Sequence, residues 1–400
     1  MHILVLCSRV PYPLHDGGNL AVSNLMEGLL DAGMSLSMLS MNTSRHQVDL
    51  SELPPLFQKL EAFKTVEVDN RIKPLPALYS LLKGTSYNLQ RFITTSFQQA
   101  LVEMLQANKY DLILMEGLYV TPYLSAIRQH SKAPVCYRQH NVEFQIWERL
   151  AQNSRNFLKR FYLDRLAKAL KTYELKQLND YDSIAAISPV DAEIYRSLGC
   201  KLPIVDIPYS LKTKTVAVPL PPGVQTPEFY HIGAMDWQPN EAAITWFLEK
   251  VWPLVIREAP EATLYLAGRN MSDYFFNNQW PNVHIAGEVP DADAFEADKQ
   301  VLVVPLHSGG GIRIKILEAM SKQKAVIATH IAMQGIHAAG HNEEVLVADT
   351  PEDFAAACLD LIRHPAKVSE LGLKAEKLIQ SHYNQQVVIN KLLQHFNSLL

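Results

Sequence analysis

The sequence predicts an α/β protein built from two parallel-sheet domains, and three observations carry that expectation. Short apolar runs alternate with helical-period segments along the whole chain, as in successive βαβ units. A stretch with four prolines in nine residues, Pro219 to Pro227, interrupts the alternation near the middle and reads as a linker. Several strands also run straight into loops rich in glycine or polar residues. In open α/β sheets such loops lie at the carboxyl ends of the strands, where ligands bind.

Composition limits the class. The 400 residues are enough for two or three domains, and 48% hydrophobic with 20% charged residues is ordinary for a soluble globular chain. No apolar run approaches the roughly eighteen residues that span a bilayer. Met1–Cys7 reads as a first strand rather than a signal peptide. Cys7, Cys136, Cys200 and Cys358 are scattered, which predicts reduced thiols in a cytoplasmic protein, two or three of them in the core. The net charge of −4 is uneven: residues 1–222 hold 24 Lys and Arg against 20 Asp and Glu, residues 223–400 hold 13 against 21. A moderately basic first half suits an anionic membrane surface or an acidic acceptor. Nucleic acid would need denser basic clustering.

In chain order, His2–Cys7 is a strand, followed by a loop ending in Asp16-Gly17-Gly18. Asn19 then caps a helix that Gly33 ends. With the strand Met34–Ser40 this forms a βαβ unit, so Asp16-Gly17-Gly18 is either a ligand loop or a turn. Lys64–Val68, Tyr110–Met115, Pro134–Arg138, Ser183–Ile187 and Ile204–Ile207 read as further strands, with two helical stretches in 75–107. The fourth strand ends in Glu116-Gly117. The fifth runs into Gln139-His140-Asn141-Val142-Glu143, which aims His140 at a ligand crevice unless it serves structure alone. Residues 155–179 form one long helix dense in Lys and Arg. It is a solvated face or a membrane-surface helix. After the linker a second series begins with Phe229–Ile232 and continues through Thr263–Ala267, Val283–Ala286, Val301–Val304, Ala325–Ala328 and Glu344–Val347. Helices fill 351–363, 365–381 and 386–400.

The most informative stretch is Pro305 to Thr329. The strand Val301–Val304 is followed by Gly309-Gly310-Gly311, and Ile312, Ile316, Ala319 and Met320 recur at helical spacing. A helix is therefore expected from about Gly311. Backbone freedom at the glycines, unpaired first-turn N–H groups and the helix dipole together favour an anion such as a phosphate. Arg313 and Lys315 add positive charge, and Glu318 lies within reach of a ribose hydroxyl. A glycine-rich turn before an ordinary helix remains the other reading of these residues. The order matches neither G-x-x-x-x-G-K-[ST] nor G-x-G-x-x-G.

Pro305, Glu318-Ala319-Met320 and Ala325-Val326-Ile327-Ala328-Thr329, placed after a strand of a second Rossmann-like domain, resemble the nucleotide-sugar site of retaining GT-B glycosyltransferases. The closest likeness is to glycosyltransferase family 4. Asp16-Gly17-Gly18 and His140-Asn141-Val142-Glu143 match that family in position. The resemblance implies an acceptor domain over residues 1–215, a donor domain over 216–385, and a crossover helix 386–400 that returns to the first. The two domains would face one another across a cleft. It further implies that Glu318 holds the donor ribose. Arg313, Lys315 and the backbone of Gly310, Gly311 and Ile312 would hold the diphosphate. Gly17 and Gly18 would approach that diphosphate, and His140 would lie near the transferred sugar. No cofactor and no metal is implied. The donor would be of UDP or GDP type, the acceptor a saccharide or a lipid-linked molecule, and the setting cytoplasmic polysaccharide biosynthesis, with peripheral inner-membrane association also consistent. Two departures stand out. Gly310 occupies the place of the family's first motif glutamate, and Gly233–Asn240 lacks the family's usual arginine and lysine. A GT-B sugar-nucleotide epimerase and a non-catalytic sugar-nucleotide binder are the alternative functions.

Overall fold

The computed structural model describes residues 1–14, 17–154, 156–212, 226–309, 311–336 and 343–400. The chain divides into two compact units, Met1–Ser210 with Gln385–Leu400, and Leu211–Asn384. Most of the proline-rich segment, together with Asp16, Arg155 and Gly310, lies outside the described residues.

The first unit holds a seven-stranded sheet of β1 (His2–Cys7), β2 (Ser35–Thr43), β3 (Ala62–Val68), β4 (Leu112–Glu116), β5 (Val135–Gln139), β6 (Ser183–Ala186) and β7 (Ile204–Asp206). Its order is β3-β2-β1-β4-β5-β6-β7, with every pairing parallel. Successive residues of a strand point to opposite faces, and both faces are covered here. Leu4 and Leu6 enter one core, while Ile3, Val5 and Cys7 enter the other. This double burial explains why the strands read as continuous apolar runs rather than alternating ones.

The second unit holds β8 (Phe229–Ile232), β9 (Leu264–Ala267), β10 (Val283–Gly287), β11 (Val301–Val304), β12 (Ala325–Ala328) and β13 (Leu346–Val347), in the parallel order β10-β9-β8-β11-β12-β13. Phe229, Leu264, Val301 and Ile327 of the sheet pack with Phe247, Trp252 and Phe354 of its helices. The last helix, Gln385–Asn397, belongs to the first unit. Val388, Ile389, Leu392 and Phe396 are buried in the core that holds Val5 and Leu25. Ile389 packs so closely on Gly28 that a Cβ there would stand 2.6 Å from Ile389 Cγ1.

The long helix expected over 155–179 is present as Phe157–Gln177, preceded by a separate helix Glu143–Gln152. Two other local expectations are corrected. Asn19 is not a cap, because the helix Gly17–Asp31 is already under way there, and the Asn19 amide instead donates to the Pro13 carbonyl at 2.8 Å. The helix expected from Gly311 begins at Ile314. Gly309 and Gly311 have φ of 106° and 81°, and left-handed backbone cannot continue into a right-handed helix.

Candidate active site

In each sheet the strand order reverses once, between β1 and β4 and between β8 and β11. The loops leaving the two central strands diverge at such a point and open a crevice at their carboxyl ends. Each unit places its candidate residues there.

In the second unit two loops converge, the one after β8 that includes Gly233 and Trp237, and the one after β11 that runs to Arg313. Gly309 lies flush against Trp237, where a Cβ would come within 2.8 Å of the indole. Arg313, at the helix N-cap, is buried. Its guanidinium carbon sits 5.5 Å from the centroid of the Trp237 ring, and Nη1 donates to the Gly311 carbonyl at 2.5 Å. Burial pushes Arg313 down to about 10, so it stays a cation at neutral pH.

Lys315 turns back under the β8 loop. Its Nζ donates to Asn240 Oδ1 at 3.2 Å and lies 3.3 Å from His231 Nε2. A Cβ on Gly233 would stand 2.6 Å from that nitrogen, so glycine at 233 makes room for the ammonium. His231 Nδ1 is 2.8 Å from the Val303 carbonyl. A carbonyl only accepts, so Nδ1 carries the hydrogen and Nε2 offers its lone pair to Lys315. Burial, then the adjacent Lys315, hold His231 well below its ordinary pKa, and it is neutral. Burial, then the Arg313 charge, push Lys315 down to about 7. Both of these hydrogen-bond partners of Lys315 are thus uncharged, and an incoming anion would supply a counter-charge that none of its partners among the described residues provides.

Glu318 follows on the same helix face, three residues after Lys315. It is half-buried, and burial raises its pKa against the opposing pull of Lys322. Gly311 and Ile312 belong to the loop that precedes the helix.

In the first unit a cavity of about 380 Å3 opens at the β1/β4 reversal, lined among others by Arg9, Gly18, Glu116, His140 and Glu143. Gly18 and His140 are therefore brought together, while exposed Gly17 begins its helix just outside this lining. The register puts Glu116 opposite Cys7 on one side and Arg138 on the other. Glu116 Oε2 accepts from Arg138 Nη1 at 3.0 Å and from His140 Nε2 at 2.6 Å. Burial alone would raise the Glu116 carboxyl, but Arg138 and His140 outweigh it and hold the group below its usual value. An ionised Glu116 fixes the His140 tautomer with hydrogen on Nε2 and orients the ring. At the cavity wall, burial pushes Glu143 up to about 7, although the Tyr119 hydroxyl donates to it at 3.5 Å.

Glu116, Arg138, Trp237, His231 and Asn240 were not singled out from the sequence. An acid ending an apolar parallel strand was the available signal for Glu116. His231 offered none, because only the pairing of β8 with β11 brings it to Val303.

Residues 226–364 match the family model described as Glycosyl transferases group 1, which covers most of the second unit. A Klebsiella pneumoniae protein described as an uncharacterized 44.6 kDa protein in a cps region is 23% identical over 403 residues, covering 98% of each chain. Among solved structures, sucrose-phosphate synthase from Thermosynechococcus elongatus superposes with a TM-score of 0.67 at 18% identity, covering 100% of this chain and 99% of that one. Anabaena HepE in complex with UDP-glucose gives 0.62 at 12%, covering 99% of each. S. aureus TarM in complex with Fondaparinux, alpha-GlcNAc-glycerol and UDP gives 0.67 at 12%, covering 99% of this chain and 100% of that one. The fold is GT-B, with two Rossmann-like parallel-sheet units. Together with the matched domain, it supports a glycosyltransferase of the GT-B type.

Proposed function

We propose that the chain is a retaining glycosyltransferase of family 4 type that moves a sugar from a UDP- or GDP-linked donor to a saccharide or lipid-linked acceptor without a metal. The observation that carries this reading is the pair Arg313 and Lys315, converging at the β8/β11 reversal beside the glycine loop and within the matched domain. These cations, with the backbone of Gly310, Gly311 and Ile312, meet the diphosphate and neutralise the charge it gains on leaving. Lys315 comes from the other side of the crevice to the spot beneath Gly233, in the loop where the resembling family carries cations. Glu318 accepts from the ribose hydroxyls. In the first unit, Gly17 and Gly18 leave space beside the cavity, and His140, held by Glu116, is the group offered to a sugar hydroxyl.

Neighbours holding UDP or UDP-glucose favour a uridine donor. The relative from a cps region favours a place in polysaccharide biosynthesis. That setting is cytoplasmic, and a lipid-linked acceptor would bring the chain peripherally to a membrane. No helix among the described residues is long and apolar enough to cross one.

A thermal-shift series with UDP, GDP, ADP and their sugar conjugates tests the donor. A true ligand at about a hundred times its Kd adds roughly 2.7 kcal/mol of stability, and silence across all three nucleotides would refute the site. Incubation with UDP-N-acetylglucosamine alone separates the alternatives, since an epimerase converts it unaided and a mere binder leaves every acceptor untouched.

Lys315 also predicts a pH dependence. A bound diphosphate stabilises the ammonium and raises its pKa above the free value of about 7. Above that pH the complex holds more protons than the free protein, so affinity for UDP-glucose should fall by up to about tenfold per pH unit. Calorimetry in buffers of different ionisation enthalpy should register proton uptake, and Lys315→Met should abolish it. A flat profile in the unaltered protein would contradict this account of the site.

A further inference from the structure

We propose that the face formed by the helices Pro74–Lys83 and Phe157–Gln177 docks on an anionic lipid bilayer. This rests on the peripheral placement proposed above and adds the surface that achieves it. Among the described residues the three most exposed large apolar side chains all belong to these two helices: Leu75 at 80%, Phe157 at 77% and Leu158 at 75%. Tyr79 and Phe161 extend them, each one turn further along its helix. The helices pack against each other, so both sets of exposed apolar groups belong to neighbouring helices of the first unit. Leaving such groups in water is unfavourable, and a contiguous apolar patch marks an interaction site.

The charges around the patch decide what covers it. Phe157–Gln177 carries Lys159, Arg160, Arg165, Lys168, Lys171 and Lys176 against two acids, Asp164 and Glu174. Glu174 is buried and accepts from the Phe144 N–H at 2.8 Å, so it does not offset the surface charge. Arg165 lies 5.3 Å from the centre of the Phe161 ring, and Lys83 lies 4.5 Å from that of Tyr79. Cationic heads thus lie over two of the exposed aromatic rings, as at a bilayer surface where aliphatic stems sit among lipid tails and ammonium groups among phosphates. A protein partner would favour an interface core depleted of lysine. Beside the patch a cavity of about 140 Å3, lined by Thr85, Tyr87, Tyr162, Arg165 and Lys168 among others, offers cations and hydroxyls to a phosphate headgroup.

Sedimentation of the full chain with phosphatidylcholine vesicles, with and without phosphatidylglycerol, tests the assignment. The expected result is a partition at least about tenfold higher on the anionic vesicles, falling as salt is raised. Two variants, Leu75→Glu/Phe157→Glu/Leu158→Glu and Lys159→Ala/Arg160→Ala/Lys168→Ala, should each lower it about tenfold. All these side chains are exposed, so both variants should keep the parent melting temperature and its shift with UDP-glucose. Unchanged partition in both variants, or no preference for anionic vesicles, overturns the proposal. A dimer in sedimentation equilibrium that the first variant dissolves, without vesicle binding, overturns it too and gives the face to a second copy. Loss of the UDP-glucose shift in the parent protein would instead strike the donor site and leave the docking face standing.

Discussion

Replacing Arg313 and Lys315 together with alanine is expected to lower turnover by about three orders of magnitude or more. Removing a single preorganised donor from a site where negative charge develops typically costs about 10²–10³ in kcat. Here two cations act at one crevice and both are largely desolvated, so their field on a leaving diphosphate is only weakly screened. The single variants should differ in kind. Arg313→Ala also removes the guanidinium stacked on Trp237 and the bond to the Gly311 carbonyl, so it should loosen the loop and raise KM. Lys315→Met keeps most of the side-chain volume and should act mainly on kcat. It also relieves the burial of an ammonium between uncharged partners, so its melting temperature should match or exceed that of the parent. Steady-state transfer assays with thermal melts separate these effects. Full turnover in the double variant would end the assignment of this crevice to the diphosphate.

The second large effect is expected from Glu116→Gln. Arg138 and Glu116 are 1% and 2% exposed along their side chains and 3.0 Å apart. Neutralising the acid leaves a guanidinium buried without its counter-charge, which typically costs about 3–5 kcal/mol. Removing both charges, as in Glu116→Gln/Arg138→Met, should restore much of that stability. It should not restore activity, because His140 would still lack the carboxylate that fixes its tautomer. Denaturant melts of the two variants beside their transfer rates make the comparison. Wild-type activity in the double variant would reduce Glu116 to a structural role.

Much of this architecture was legible beforehand for a simple reason. Parallel strands buried on both faces must be apolar throughout, so His2–Cys7, Phe229–Ile232, Val301–Val304 and Ala325–Ala328 stand out at their observed bounds. Glycines at Gly309 and Gly311 marked the loop, because few other residues hold φ near 106° or 81° without strain. Boundaries set by long-range pairing were less visible. The last strand, expected over Glu344–Val347, forms only at Leu346–Val347, where it pairs with Ile327 and Ala328.

The sequence alone therefore determined the α/β class, the existence of two parallel sheets, and the clustering of glycines, cations and Glu318 after β11. All of these follow from local composition, from continuous apolar runs and from the helical period of 3.6 residues. Strand order was decided only in three dimensions. It sets the two reversals, brings Gly233 and His231 to Lys315, and puts Glu116 between Arg138 and His140. These neighbours are separated by between 22 and 84 residues. No local rule encodes such contacts, because the free energy that fixes them comes from burying whole sheets.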